Sequence, residues 1–227
     1  MKKIILASVS LFILFILSVT VVATPFFDTA GHWAENDISY AFNEGLMKGM
    51  GDGSFFAPDI ALTRAMAVTV FYRNEGTPEH AYRPVFIDVP ENEYYSNAVI
   101  WAMDSGIVSG TGLDSDGEPL FSPNEIISRQ ELIYMFRCYA VHKNVTIEYA
   151  DISGYPDASE VSPFGREPMC WAVKYGLVKG KLVGGESYLS PQDMATRAEI
   201  AVLIRRYNET TFPYYDWSDN GIFGKAE

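Results

Sequence analysis

The sequence predicts a mainly α-helical protein built from three helix–loop–helix units that pack together. Three observations carry this. The chain of 227 residues reads three times through one order of features after its first two dozen residues. Each pass holds two segments whose apolar residues recur at helical spacing. The composition, 48% hydrophobic and 14% aromatic, is rich enough for a sizeable core and excludes a disordered chain.

The elements follow in chain order. Lys2 and Lys3 precede an uncharged stretch over residues 4–22, and Val21-Val22-Ala23 supplies small residues at its end. Residues 1–23 therefore read as a secretory signal peptide. A retained membrane anchor is the alternative, since the apolar run is nearly long enough to span. Removing the segment takes two lysines and no acid, so the net charge goes from −12 to −14. Such a charge argues against a nucleic-acid partner.

Each copy opens on an aromatic-rich stretch with an aspartate: FFDTAGHWA, FIDVPENEYY and YPDASEVSPF. An amphipathic helix follows, with Ile38, Ala41, Phe42 and Leu46 in copy one, Val99, Ala102, Met103 and Ile107 in copy two, and Met169, Ala172, Val173 and Leu177 in copy three. Gly45, Gly106 and Gly176 read as its stops, because glycine accepts the left-handed conformation of a helix C-terminus. An apolar pair and a second glycine come next, then a turn-rich loop of variable length. The loop ends in FAP, FSP or LSP.

The second helix starts six residues after that proline in every copy, at Arg64, Arg129 and Arg197. Its stripe is Leu132, Met135, Phe136 and Tyr139 in copy two, Ile200, Leu203, Ile204 and Tyr207 in copy three, and Ala67, Val70 and Phe71 in copy one. Thr63, Ser128 and Thr196 stand at the N-cap. Glu131 and Glu199, three residues after their caps, complete capping boxes, whereas copy one has Met66 there. One pair of short helices cannot bury its apolar face alone, so the three units are expected to share a core.

The domain reading is a signal peptide at 1–23, repeats at 24–76, 77–142 and 143–207, and a short aromatic tail at 208–227.

A cation at a helix N-terminus is mildly unfavourable, by roughly 0.3–1 kcal/mol. Three arginines at that place ask for a reason. A guanidinium beside free helix N–H groups would make a cradle for a carboxylate. On this reading the Thr and Glu of the motif serve the fold and the arginine serves a ligand.

The stretch FFDTAGHWAENDISYAFNEGLMKGMGDGSFFAP, followed by TRA, resembles the S-layer homology domain. So do VPENEYYSNAVIWAMDSGIVSG with SRQE, and ASEVSPFGREPMCWAVKYGLVKG with TRAE. The resemblance covers about residues 26–207. It implies a pseudo-threefold, three-pronged unit around a central helical bundle, on an exported bacterial protein. It implies non-covalent binding of secondary cell-wall polysaccharide, often through a pyruvate ketal on N-acetylmannosamine, in association with peptidoglycan. It makes Arg64, Arg129 and Arg197 the carboxylate ligands, Trp33, Tyr94 and Phe164 the groove aromatics, and Asp28, Asp88 and Asp157 the opening aspartates. It places Gly49, Gly110 and Gly180 where backbone approaches a sugar. Copy one lacks the Glu, copy two has Ser and Gln in its motif, and copy three has Gly184-Gly185 where copy one has Asp52-Gly53.

No catalytic, metal or cofactor site is read. His32, His80 and His142 fall in unrelated contexts, and Asp114, Asp116 and Glu118 read as a surface turn rather than half a calcium loop. Cys138 and Cys170 lie in apolar helical patterns and read as buried free thiols, with a disulfide as the alternative. The functional reading is a cell-wall anchoring module without enzymatic activity. The alternatives are a surface-layer subunit, or a piece of a larger surface protein or glycan hydrolase.

The signal reading makes a prediction: mass spectrometry of the exported protein should find Thr24 as its first residue. An intact Lys2 terminus in the membrane fraction would contradict it.

Overall fold

A computed structural model describes residues 25–213. The expected signal segment lies outside the described residues, as does the tail from 214 onward. No described helix is long and apolar enough to cross a membrane. Six α-helices carry the structure: α1 (Glu35–Asn43), α2 (Arg64–Asn74), α3 (Ser96–Asp104), α4 (Arg129–His142), α5 (Pro163–Lys174) and α6 (Arg197–Glu209). Two short antiparallel hairpins join first to second helix in the later copies: β1 (Gly112–Leu113) with β2 (Pro119–Leu120), and β3 (Lys181–Val183) with β4 (Glu186–Tyr188). Copy one has a single bridge there, between Met50 and Phe55.

The first helices of the copies end alike. Gly45, Gly106 and Gly176 have φ of 71°, 70° and 72°. The next amide in each copy, of Leu46, Ile107 or Leu177, reaches back to the carbonyl of Ala41, Ala102 or Ala172 at 2.8 Å. This is the Schellman closure, and its left-handed residue is why glycine recurs at that place. It turns the chain so that Leu46, Ile107 and Leu177 are buried.

The loops then reach a common corner. Ala57, Ser122 and Ser190, each before its proline, have φ of 56°, 59° and 50°. None is glycine, so each corner carries backbone strain. The opening aspartates hold it. Asp28 accepts the amides of Phe56 (2.9 Å) and Ala57 (2.6 Å). Asp88 accepts those of Phe121 and Ser122, and Asp157 those of Leu189 and Ser190. Each aspartate thus spends both oxygens on its own copy's corner.

Past the corner the copies meet. The Leu62 amide donates to Ala195 (2.8 Å), Ala195 to Ile127 (2.9 Å) and Ile127 to Leu62 (3.0 Å), closing a ring of backbone bonds about the pseudo-threefold axis. Ala67, Leu132 and Ile200, one from each second helix, are buried below it. Lower still, the Phe71 ring packs on Phe136 and Tyr139, and Tyr207 closes on both from α6.

The sequence expectation, that the units share a core, does not say which helix packs on which. The principal helix contacts run between copies: α2 with α3, α4 with α5, and α6 back to α1. The sequence repeat is therefore not the packing unit. Each prong takes one helix from one copy and one from the next, and the chain's two ends close the circle. The start of the expected tail belongs to this core, since α6 runs to Glu209 and Phe212 is buried against Tyr207, Tyr175 and Trp171. Cys138 and Cys170 are free thiols, half-buried rather than buried, and burial raises both above the usual thiol range. Asp114 receives the Asp116 and Glu118 amides, a turn of the β1–β2 hairpin.

The corner generates a prediction. Burial pushes the Asp28 carboxyl up, but the Phe56 and Ala57 amides outweigh it and the pKa is lowered. A group with a depressed folded pKa contributes stability above its unfolded value, near 3.9, and loses it as pH falls through the folded value. Asp28→Ala should cost about 1–3 kcal/mol at pH 7. The gap from wild type should narrow below about pH 4. Urea denaturation at pH 7 and pH 2.5 checks both statements.

Candidate functional site: grooves between the copies

The motif arginines begin their helices, but the adjacent amides are not free. The Arg64 and Ala65 amides donate to Glu125 and Pro123, those of Arg129 and Gln130 to Asp193 and Pro191, and those of Arg197 and Ala198 to Ile60 and Pro58. The third amide goes to the N-cap hydroxyl of Thr63, Ser128 or Thr196. In the latter two Glu131 and Glu199 complete the box, whereas Met66 leaves the first half-made. The expected cradle of helix N–H groups is thus corrected: three helices converge at one point, and their amides are consumed there by carbonyls of the next copy.

The arginine side chains also cross between copies. Arg64 donates from Nε to the Phe121 carbonyl and from Nη2 to Ser109, both at 2.9 Å. Arg197 does the same to Phe56 (2.9 Å) and Lys48 (2.8 Å). Their guanidinium carbons lie 4.7 and 4.5 Å from the Phe121 and Phe56 ring centres, in cation–π range. Arg129 reaches Leu189, which offers no ring, at 3.1 Å, and pairs through Nη1 with Glu199 at 2.7 Å. The Nε acceptor in each case is a carbonyl of an aspartate-clamped corner. Burial lowers the pKa of Arg64, and that of Arg197 to about 10. The arginines are consequently structural as well as candidate ligands. The division that assigned the fold to Thr and the ligand to Arg does not hold.

Two grooves open beside these arginines. The first, about 380 Å³, lies between the Met47–Gly51 turn and α2, with Tyr94 and Arg197 at its edge. The second, about 700 Å³, lies between the Val178–Leu182 stretch and α6, with Trp33 and Arg129 at its edge. They correspond position by position. Met66, Thr69, Val70 and Arg73 line the first where Glu199, Val202, Leu203 and Arg206 line the second. The third such place differs. Tyr134 of α4, in the position of Thr69 and Val202, packs edge-on against Phe164 with centroids 6.0 Å apart.

Trp33, Tyr94 and Phe164 are 64%, 60% and 50% exposed, so these aromatics are not core residues. Gly49 and Gly180 line grooves, but what approaches their α-carbons is their own copy. A Cβ at Gly49 would lie 2.6 Å from the Gly53 carbonyl and 2.8 Å from Phe26. At Gly110 it would meet Leu120 and Phe86, and at Gly180 Ser187 and Tyr155.

Sequence reasoning missed Arg73 and Arg206. Each donates to the backbone just past a first helix, to Leu46 (3.1 Å) and Leu177 (2.7 Å), and each lines a groove. Their shared spacing, nine residues after the motif arginine, was the available signal. Copy two has Cys138 there.

The sequence model of the S-layer homology domain matches residues 25–67, 86–133 and 154–201, more than half of the chain. This protein belongs to the S-layer homology domain family. Curated relatives of the three S-layer homology repeats include exoglucanase XynX of Acetivibrio thermocellus, 27% identical over 183 residues, 80% of this chain and 16% of that protein. Amylopullulanase of Thermoanaerobacterium thermosulfurigenes is 27% identical over 79% of this chain and 9% of that protein. The surface-layer 125 kDa protein of Lysinibacillus sphaericus is 27% identical over 79% and 14%. The chain thus spans less than a fifth of the length of these relatives. Family and relatives place it at the bacterial cell surface or cell wall, as an anchoring module or surface-layer-type protein.

The arginine geometry generates a prediction. Thr196→Ala should cost about 0.5–2 kcal/mol through the lost cap. Arg197→Ala, which strands the Phe56 and Lys48 carbonyls, should cost about 1.5–3 kcal/mol. Thermal denaturation of both variants checks the order. An Arg197→Ala melting curve that overlays wild type would refute the structural role.

Proposed function

We propose that the protein anchors itself non-covalently to the bacterial wall by binding an acidic secondary cell-wall polysaccharide associated with peptidoglycan. The recognised unit on this reading is the pyruvate ketal of N-acetylmannosamine. The observation that carries it is the first groove: an exposed Tyr94 beside Arg197, Arg73 and Lys48, with no carboxylate in the lining. A chain of net charge −12 draws no anionic polymer by its overall field, so attraction must be local. A guanidinium fork beside an exposed ring fits a sugar that carries a carboxylate. In this reading Trp33 and Phe164 are the equivalent aromatics, Arg64 and Arg129 the equivalent cations. Asp28, Asp88 and Asp157 with Gly49, Gly110 and Gly180 hold the corners that frame the grooves.

The relatives support anchoring over catalysis. An exoglucanase, an amylopullulanase and a surface-layer protein share this region while their names describe different tasks. A common attachment device explains that better than a common reaction. The match to surface-layer proteins favours a second reading, a lattice subunit, which electron microscopy of the purified protein would reveal as ordered arrays.

The test uses the exposed rings, because they can be removed without opening the core. The protein should sediment with wall sacculi of its source and cease to do so once the secondary polysaccharide is stripped by acid. Trp33→Ala with Tyr94→Ala should change stability by about 0.5 kcal/mol or less. The same pair should weaken sedimentation at least tenfold. Equal binding to stripped sacculi would refute the polysaccharide reading.

A further inference from the structure

In the first copy the opening stretch runs beside the second arm of the loop that leads to the corner. The Phe27 amide donates to the Ser54 carbonyl at 3.2 Å, and Met50 and Phe55 are bridged antiparallel across the loop. Extended backbone sends neighbouring side chains to opposite faces. Phe26 and Phe56 turn into the core and pack on each other with ring centroids 5.4 Å apart. Phe27 and Phe55 turn outward and are 78% and 52% exposed, and no other large apolar side chain among the described residues is as exposed as Phe27. The two outer rings meet at 60° with centroids 6.1 Å apart.

This pair is continuous with the first groove. Residues directly opposite in an antiparallel pair share a face. Phe55 therefore lies on the face of Met50, and Met50 lines the groove. Neither phenylalanine belongs to the groove lining itself. The other copies have no such pair: Ile87 and Pro156 stand in the place of Phe27, and Leu120 and Tyr188 in that of Phe55.

We propose that Phe27 and Phe55 form a second sugar-binding site, outside the groove, on which uncharged pyranose rings of the glycan stack as the chain leaves the first groove. This rests on the polysaccharide reading above and adds to it a place for the polymer's neutral residues.

The chemistry of the surface selects the ligand. The face of an aromatic ring is electron-rich, and the C–H face of a pyranose meets it with small positive partial charges. The pair carries no charge of its own, and Asp52 in the adjoining turn spends one carboxylate oxygen on the Ser54 amide (3.0 Å) and hydroxyl (2.6 Å). Charged sugars thus find cations in the groove, whereas the platform offers apolar area alone. The site is also held in advance. Asp28 clamps the Phe56 and Ala57 amides beside it, and the rings support each other, so little order is lost on binding. A second copy of the chain could also cover an exposed apolar pair, but a net charge of −12 opposes self-association.

The experiment is calorimetric titration of the protein with two probes. One is the methyl glycoside of pyruvate-ketal N-acetylmannosamine, which is long enough for the groove alone. The other is wall polysaccharide released by acid and cut to two or more repeating units. Phe27→Thr with Phe55→Thr keeps residues suited to extended backbone and should leave the melting midpoint within about 2 °C of wild type. It should weaken the long probe about tenfold and leave the short one within about twofold. Phe27→Tyr with Phe55→Tyr keeps both rings and should bind the long probe within about twofold of wild type. An unaltered long-probe affinity in the threonine pair, or an equal loss on both probes, would overturn the proposal. So would light scattering that finds a wild-type dimer absent from the threonine pair, since the occupant would then be a second copy. Normal binding of the short probe with no dependence of the long one on the rings sinks this inference alone. Wild type that takes up neither probe, yet sediments equally with stripped sacculi, sinks the polysaccharide reading and this one with it.

Discussion

Three helix N-termini converge on one axis, and each brings backbone N–H groups that its own helix cannot satisfy. Buried without partners, such groups would together cost as much as the small net stability of a folded domain. The structure answers with a circular exchange. The first two amides of each second helix donate to carbonyls of the next copy's corner, and the third goes to the copy's own Thr or Ser. The corner can offer those carbonyls because Ala57, Ser122 and Ser190 take a left-handed conformation there, which an aspartate holds from behind. Removing any one copy would leave two amides orphaned on one neighbour and two carbonyls bare on another. The threefold count is thus a condition of satisfying the backbone, and the swapped pairing of α2 with α3, α4 with α5 and α6 with α1 follows from it.

The arginines belong to the same exchange. An arginine at the positive end of a helix looks misplaced when the helix is considered alone. Its side chain leaves that helix, crosses to the neighbouring corner and stacks on Phe121 or Phe56 while donating to the carbonyls. Five N–H donors on one planar group let a single residue pin the corner and still face a groove. Lysine could do one of these tasks but not both. Structural and ligand roles therefore coincide in one side chain, and the grooves inherit their position from the same contacts that close the ring.

Equivalent geometry does not make the grooves equivalent sites. Around one scaffold position the chain places Met66, Glu131 and Glu199, and around another Arg73, Cys138 and Arg206. The first set alters which charges reach the groove; the second alters whether a cation lines its floor. Both sets were visible as letters, but neither could be given meaning until the copy that faces each residue was known. The shorter of the two ion pairs of Glu199 is with Arg129, seventy residues away in a different copy.

The sequence by itself determined the local structure. Periodicity marked all six helices, Gly45, Gly106 and Gly176 marked the ends of three, and Thr196 with Glu199 announced the start of another, because these signals act over four or five residues. It also determined that three copies must share a core, since the apolar stripe of one helix pair is too large to leave in water. Only the tertiary structure decided which helix pairs with which, what the arginines hold, and why the aspartates are there. Those are contacts between residues such as Arg197 and Phe56, or Asp28 and Ala57, that lie far apart in the chain. Their existence depends on how the circle closes, and a repeat unit read alone carries no information about its neighbour's place in space.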